Sequence, residues 1–417
     1  MVHISFSFIG SVVNTIDIMG VRYLNNFISN RCRSALTHRH LRDYMGRTIA
    51  VDTSIYMYKY LGENTLMESM YYMMVQFQFY KITPIFVFDG AAPLEKQTAL
   101  RSREANKATA ELKYNQTAEQ LQTLLMVRQE RHSQDRPEQE DKNSADIAVS
   151  HESEDRENSR AILEHERVMR GLRKRFIRVH GYELSGVKRL MRAFDMRYVE
   201  ANGEADIMCA QIVKYGIAHA CMSDDMDMFL YGCPRVLRYA NLVNGTCVEY
   251  DLHQILNLLG ISLNGLRKIC ILSGTDYNLD NFEPCMRCRI FLSDIYEAYI
   301  DFESLLSPSS DADTDAHAST EYDAVVVDGT AFYEWMKRTN WLFHHIDAPS
   351  LWHVFGIFSA EITSDQLLNL NDVLSKTISP ISVCEGCDDD LSPQPALPFE
   401  IPSRVKKIMA QYNFIFI

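Results

Sequence analysis

The chain has 417 residues, 47% hydrophobic and 23% charged, enough to bury a sizeable core, which excludes a disordered, collagen-like or membrane-embedded polypeptide. A net charge of −13 excludes a uniformly basic nucleic-acid coat but not a nucleic-acid enzyme, because binding follows the clustering of Lys and Arg rather than their sum. Ten cysteines are too sparse for a disulfide scaffold, and Cys209, Cys221 and Cys270 lie in apolar runs, so an intracellular, reducing setting is expected.

The N-terminal stretch MVHISFSFIGSVVNTIDI is apolar but has no Lys or Arg ahead of its core and no small-x-small cleavage pattern, so it is not read as a secretory signal. No stretch reaches the ~18 uninterrupted apolar residues of a membrane span. Strands are predicted at Thr48 to Asp52, Pro84 to Asp89, Arg197 to Glu200, Ala218 to Asp225 and Arg235 to Tyr239, with helical periodicity between most of them. This alternation points to an α/β fold with a parallel sheet covered by helices on both faces. From Glu130 to Glu157 ten acids stand against four Lys or Arg, which reads as a solvated, disordered insert. Ser307 to Asp323 reads as a linker, and a Pro-punctuated segment from Asp388 to Pro402 precedes a short tail.

Ligands of such sheets bind outside the carboxyl ends of the strands, and acids recur there. Asp52 ends Ile49-Ala50-Val51, Asp89 ends Ile85-Phe86-Val87-Phe88, and Asp225 and Asp227 follow Ala218 to Met222. Glu204 and Asp206 open a helical pattern after Gly203, and Asp276 follows the apolar run from Ile269 to Gly274. A single Asp after a strand is usually a turn residue or a helix cap. Seven converging on one sheet edge repel one another by several kcal/mol per pair unless a cation joins them, and a ligand set made only of oxygen favours Mg²⁺ or Mn²⁺ over Zn²⁺. Two such ions about 4 Å apart can hold a phosphodiester, activate a water and stabilise the leaving oxygen.

The strings MGVRYLNNFI from Met19, GRTIAVDTSIYMYKYL from Gly46, ITPIFVFDGAAPLEK from Ile82, YVEANGEADIMCAQIVKYG from Tyr198, SDDMDMFLYGCPRVLR from Ser223 and ILSGTDYN from Ile271 together resemble the flap endonuclease family, the XPG-type structure-specific 5′ nucleases. The resemblance covers much of Met19 to Asn278 and implies a PIN-like nuclease domain: a central, mostly parallel sheet flanked by helices, with a helical arch and a helical C-terminal region. It implies that Asp52, Asp89, Glu204 and Asp206 surround one metal ion and Asp225, Asp227 and Asp276 a second. Asp206 stands where the family usually has Glu. Lys96 and Arg103 match the two basic residues that hold the scissile phosphate, a role for cations acting in the transition state. Tyr58 falls where the family stacks a ring on a nucleobase. Arg173, Lys174, Arg175 and Arg178, on a helix predicted from Leu172 to Val179, match the basic gateway that funnels a single strand. The bland alternatives are solvated helix charges for the basic residues and a core position for Tyr58.

The family pattern breaks in three places. Met19-Gly20 is internal where Met-Gly starts the family's proteins, and the segment after Asp276, NLDNFEPCMRCRIFL, has no glycine in the hairpin that normally approaches duplex phosphates. Cys285-x-x-Cys288 and Cys384-x-x-Cys387 lie about a hundred residues apart, against the fifteen to twenty usual for zinc. Gln411 to Ile417 is only faintly similar to a sliding-clamp peptide, without its aromatic pair.

The expected organisation is an extension at 1–18, a nuclease region at 19–126, the acidic insert at 127–160, a second nuclease region with a degenerate helix-hairpin-helix at 161–300, a linker at 301–330 and a C-terminal region at 331–417. The expected function is a phosphodiesterase using two Mg²⁺ ions, with Mn²⁺ as substitute, that has 5′ flap endonuclease and 5′–3′ exonuclease activity on DNA in replication, repair or recombination. DNA with a 5′ flap or a strand junction is the expected partner, a sliding clamp a further one, and no membrane is involved; the nucleus is placed ahead of the cytoplasm. A 5′–3′ exoribonuclease of the same superfamily and a non-catalytic DNA-binding or scaffold protein are the alternatives. A haloacid-type phosphatase fits worse, because neither FDGAAP nor DDMDMF supplies its Asp-x-Asp-x-Thr loop.

Overall fold

Seven segments pair into one sheet: β1 (Leu36–His40), β2 (Thr48–Asp52), β3 (Thr83–Phe88), β4 (Arg197–Glu200), β5 (Ala220–Met222), β6 (Arg235–Asn241) and β7 (Thr246–Asp251). The structure is a computed structural model, and it describes residues 21, 23–134, 145–278, 292–306, 348–361 and 401–414. Strand order is β1-β7-β6-β5-β2-β3-β4. The five strands from β6 to β4 run parallel, while β7 pairs antiparallel with both β6 and β1. The expected mostly parallel sheet is present, with an antiparallel edge. Its cause is a tight β6–β7 turn, in which the Asn241 side chain accepts from the N–H groups of Val243 and Asn244 and Gly245 takes a φ of +61°. A connection this short can only bring the chain back antiparallel.

β2 lies in the middle because Ile49, Ala50 and Val51 are apolar in succession and fully buried, as a strand covered on both faces must be. Alternation in β3 separates two helical layers. Ile85 and Val87 join a core with α1 (Leu24–Arg31), α7 (Ala205–Lys214), α9 (Leu252–Leu259) and α10 (Leu263–Ser273). Phe86 faces the other way, with its ring 6.1 Å from Phe77 of α3 (Leu66–Phe79).

The chain divides into two units. One comprises Met1–Tyr56, Met67–Ala99 and Ser185–Ile417 and holds the sheet. The other, Met57–Leu66 and Leu100–Leu184, is helical and is dominated by α4 (Gln97–Gln134) and α5 (Ala145–Arg173). Residues 127–134 and 145–160, expected to be disordered, are helical; Glu, Gln, Arg and Ala favour that state despite the charge. The predicted helix over 172–179 instead ends at Arg173. Beyond it, Phe176 packs 5.3 Å from Tyr114, and Arg178 is tied to Glu104 and Glu111, so side-chain anchoring to α4 overrides the helical pattern.

The expected linker at 301–330 starts too early, since a helix continues through Leu292–Leu306. The helix Ala348–Ser359 is no separate appendage: Leu351, Val354, Phe355 and Phe358 belong to the sheet unit's own core. Residues 401–414 also pack back, with Phe414 5.0 Å from Tyr71 and the Tyr412 hydroxyl 2.6 Å from where a Cβ on Gly186 would lie. The helical C-terminal region is thus present among the described residues. Met19-Gly20, the hairpin after Asn278, the linker beyond 306 and all four Cys-x-x-Cys cysteines lie outside them.

Candidate active site

Chain order reverses between β2 and β5, which opens a crevice at the carboxyl ends of the parallel strands. Asp52, the last residue of β2, is 3% exposed. Its Oδ1 accepts from the Ile55 N–H at 3.4 Å, a cap on the helix Thr53–Gly62, but its Oδ2 accepts from the Ser223 hydroxyl at 2.8 Å across the reversal. Capping therefore accounts for only half of this carboxylate.

Asp89 follows β3 and accepts the Ala205 N–H at 2.9 Å, fixing the start of α7. The next residue, Gly90, donates its N–H to the Gly203 carbonyl at 2.7 Å, and a Cβ there would lie 2.0 Å from the Ala201 carbonyl oxygen. Only glycine permits this approach, which brings Glu204 and Asp206 up to the end of β3. Asp227 opens the turn Asp227–Leu230 and is 1% exposed; both of its carboxylate oxygens are buried without a hydrogen-bond partner. Asp225 accepts the Asp227 N–H at 3.0 Å, and Asp276, 5% exposed, follows Gly274, whose φ of +100° ends α10.

The carboxylates form one electrostatic network. Burial first, then Asp89, pushes Asp52 up to about 7, with hydrogen bonds from Ser223 and Asp206 opposing. Burial raises Asp206 well above the ordinary carboxylate range, reinforced by Asp52 and Asp225 and opposed by Lys96. Asp225 is raised by burial and by Asp276 against the pull of the Asp227 N–H; Asp227 is raised by burial, Asp225, Asp276 and Glu204 against Lys96. All seven predicted acids are linked by these interactions.

Lys96 is the cation among them. It is 6% exposed, its Nζ lies 2.6 Å from Glu204 Oε1, and it sits 4.5 Å from the centre of the Tyr277 ring. Burial lowers its affinity for a proton, but Asp227, Tyr277 and Glu204 together outweigh burial and hold it charged. Tyr277 donates to Glu204 Oε2, and Tyr231 lies 2.7 Å from the Tyr277 hydroxyl. Since each phenol has one proton, Tyr231 donates to Tyr277 and Tyr277 to the carboxylate. Phe358 packs edge-on behind Tyr277 at 5.3 Å. Reading the sequence assigned no role to Ser223, Tyr231 or Tyr277; their positions two before Asp225, four after Asp227 and one after Asp276 are the signal it left unused.

The remaining predicted residues belong to the helical unit. Arg173, Lys174 and Arg175 are exposed, and Tyr58 is 36% exposed with the Lys107 ammonium 5.5 Å from its ring centre. Arg103 is half-buried. Arg178 is committed to Glu104 and Glu111 at 2.7 and 2.9 Å, so it braces the unit rather than presenting a free cation.

Fully buried, donor-less oxygens on Asp227 amid mutually repelling carboxylates, with neither His nor Cys in the set, fit a hard divalent cation. Among the described residues no three His, Cys, Asp or Glu side chains are grouped closely enough to form a ready-made ion cage, so the number of ions is not fixed by this arrangement.

Two family domains match this chain, the XPG N-terminal domain over residues 19–110 and the XPG I-region over 195–276. Between them they contain all seven acids and Lys96. The chain carries an XPG N-terminal domain and an XPG I-region. It is 26% identical over 288 residues to the probable RAD2-like endonuclease 369L of Invertebrate iridescent virus 6, covering 62% of this chain and 67% of that protein. It is 26% identical over 278 residues to flap endonuclease 1 of Eremothecium gossypii, covering 62% and 61%. The matched stretch thus spans about three fifths to two thirds of the length of these relatives. Among solved structures, the catalytic core of Rad2 in complex with DNA substrate is similar at 16% identity and a TM-score of 0.49, covering 94% of this chain and 95% of that one.

Proposed function

We propose that this chain is an XPG-type, divalent-cation-dependent, structure-specific 5′ nuclease that cuts DNA at junctions of single and double strand, with 5′ flap endonuclease and 5′–3′ exonuclease activity. The observation that carries the proposal is the single network of seven carboxylates, six buried or half-buried and Asp89 exposed, with one buried ammonium inside it. Retaining so many repelling charges without a ligand costs stability, which argues against a catalytically idle scaffold.

The residues that would hold divalent cations, Mg²⁺ or Mn²⁺, are Asp52, Asp89, Glu204, Asp206, Asp225, Asp227 and Asp276; bound there, such ions supply Lewis-acid activation of water and neutralise a phosphodiester. Ser223 fixes Asp52, and the Tyr231–Tyr277 pair fixes Glu204, so the carboxylates keep their orientation whether or not a substrate is present. Lys96 Nζ can turn from Glu204 to a phosphate oxygen and balance charge as it develops in the transition state. Arg103 and the exposed Arg173, Lys174 and Arg175 of the helical unit give a strand-binding surface whose affinity falls with salt. Gln411 accepts from Arg189 at 2.7 Å and Phe414 packs on Tyr71, so residues 411–414, the described part of the segment compared with a clamp peptide, are docked on their own chain. A DNA substrate supports a nuclear location where the cell has a nucleus.

The test is cleavage of 5′-flap, nicked and single-stranded DNA and of RNA, with Mg²⁺ and then Ca²⁺, by the wild type and Asp225→Asn. Mg²⁺-dependent cutting near the flap base, lost by orders of magnitude in Asp225→Asn with binding retained, is expected. Equal cutting by both proteins overturns the proposal, and preference for RNA transfers it to the exoribonuclease reading.

A further inference from the structure

Tyr239 has a backbone φ of +55°. For a bulky aromatic residue this left-handed conformation is a genuine outlier, and strain of this kind collects at functional positions. It occurs where the β6–β7 register shifts between Arg238 and Asn241, beside the residues that lead into the acidic cluster. Asp224 clamps the distortion from both sides: its carboxylate accepts the Tyr239 N–H at 2.7 Å, and its carbonyl accepts from the Arg238 guanidinium at 2.7 Å. The next residue is Asp225, one of the seven acids.

Arg238 is 4% exposed, and its guanidinium carbon lies 4.8 Å from the centre of the Tyr239 ring and 5.2 Å from that of Tyr250. Tyr239 itself is 46% exposed. One side of the ring is thus backed by a buried cation while nearly half of the residue meets solvent. If covering Arg238 were the only requirement, no outward ring held in a strained backbone would be needed; Asn or Gly adopts this φ with less strain.

We propose that Tyr239 is a stacking platform for a nucleobase of the strand bound at the carboxylate network. It rests on the nuclease reading above. Every base has a π-face, so such a platform is indifferent to sequence, and its loss by substitution weakens binding by about tenfold.

The test uses the full chain, a fluorescent oligo(dT) probe at fixed salt, and the substitutions Tyr239→Asn, Tyr239→Phe and Tyr239→Trp. Tyr239→Asn is expected to weaken binding about tenfold without lowering the thermal midpoint, and Tyr239→Phe to retain wild-type binding. The fluorescence added by Tyr239→Trp is expected to be quenched by the oligonucleotide, a signature of direct ring contact. Wild-type binding in Tyr239→Asn, a binding loss matched by a lower thermal midpoint, or an unquenched Trp each overturns the platform. Failure of the wild type to bind any nucleic acid overturns the nuclease reading itself, and the platform with it.

Discussion

The Ser223 hydroxyl donates a 2.8 Å hydrogen bond to Oδ2 of Asp52, joining β5 to β2 at the point where the sheet changes direction. This bond opposes the burial and the Asp89 repulsion that push Asp52 up to about 7. In the unfolded chain the same group titrates near ~3.9, so between these values the native state binds a proton that the unfolded state releases. Its stabilising contribution is complete below the unfolded value and lost as pH rises through the folded one. Asp206, Asp225 and Asp227 shift in the same direction. Thermal melts in chelator are therefore expected to give a higher midpoint near pH 5.5 than near pH 8, with added Mg²⁺ raising the pH 8 value. Ser223→Ala should widen the pH difference.

Asp227 offers a test of charge against structure. Its donor-less carboxylate is surrounded by Asp225, Asp276 and Glu204. Asp227→Asn removes a repelled charge at nearly constant volume, so the chelated protein should melt at a higher temperature than wild type near pH 8 while cleavage falls by orders of magnitude. A lower melting temperature would show that the site is not strained by its own charge.

Lys96 and Glu204 are a buried pair, with side chains 7% and 14% exposed. Removing one partner of such a pair costs about 3 kcal/mol, because the other is left uncompensated. Lys96→Met is expected to lose about that much in chemical denaturation. Adding Glu204→Gln should recover part of it, giving a coupling of about 1–3 kcal/mol in a double-mutant cycle.

Gly90 and Gly203 lie on neighbouring segments but differ in their surroundings. A Cβ on Gly90 meets the Ala201 carbonyl at 2.0 Å, whereas a Cβ on Gly203 meets nothing within 4 Å. Gly90→Ala should cost about 1–3 kcal/mol and loosen the Asp89–Ala205 contact, while Gly203→Ala should remain close to wild type in both stability and cleavage.

The basic residues near 173–178 should separate by measurement. Arg173→Ala, Lys174→Ala and Arg175→Ala are expected to reduce the salt dependence of DNA binding with little change in melting. Arg178→Ala should instead destabilise the helical unit, because it unties Glu104 and Glu111.

The parallel strands were legible because burial on both faces demands uninterrupted apolar runs such as Ile49-Ala50-Val51, and the placement of the seven acids because five close or follow an apolar run or helix and Glu204 and Asp206 open one. β1 was not legible: LTHRH holds one apolar residue and is a strand only through its pairing from Leu36↔Tyr250 to His40↔Thr246. The helix expected over Leu172 to Val179 stops at Arg173 for the same reason, since Arg178 and Phe176 answer to partners 62 to 74 positions away. Ser223 and Tyr277 sat inside recognised strings without a role, because a hydroxyl's acceptor is fixed by folding and leaves no periodicity. Tyr239 was hidden most deeply, because a positive φ at a non-glycine residue has no local sequence signal.

Residues 401–414 pack against Tyr71, Gly186 and Arg189, in a unit assembled from three separated stretches of chain. During synthesis this part of the unit must therefore wait for residues made well after its strands. The helical unit, whose pieces are finished by residue 184, can consolidate while the ribosome is still working, whereas the side of the sheet unit around Tyr71 is sealed only once more than two hundred further residues have emerged.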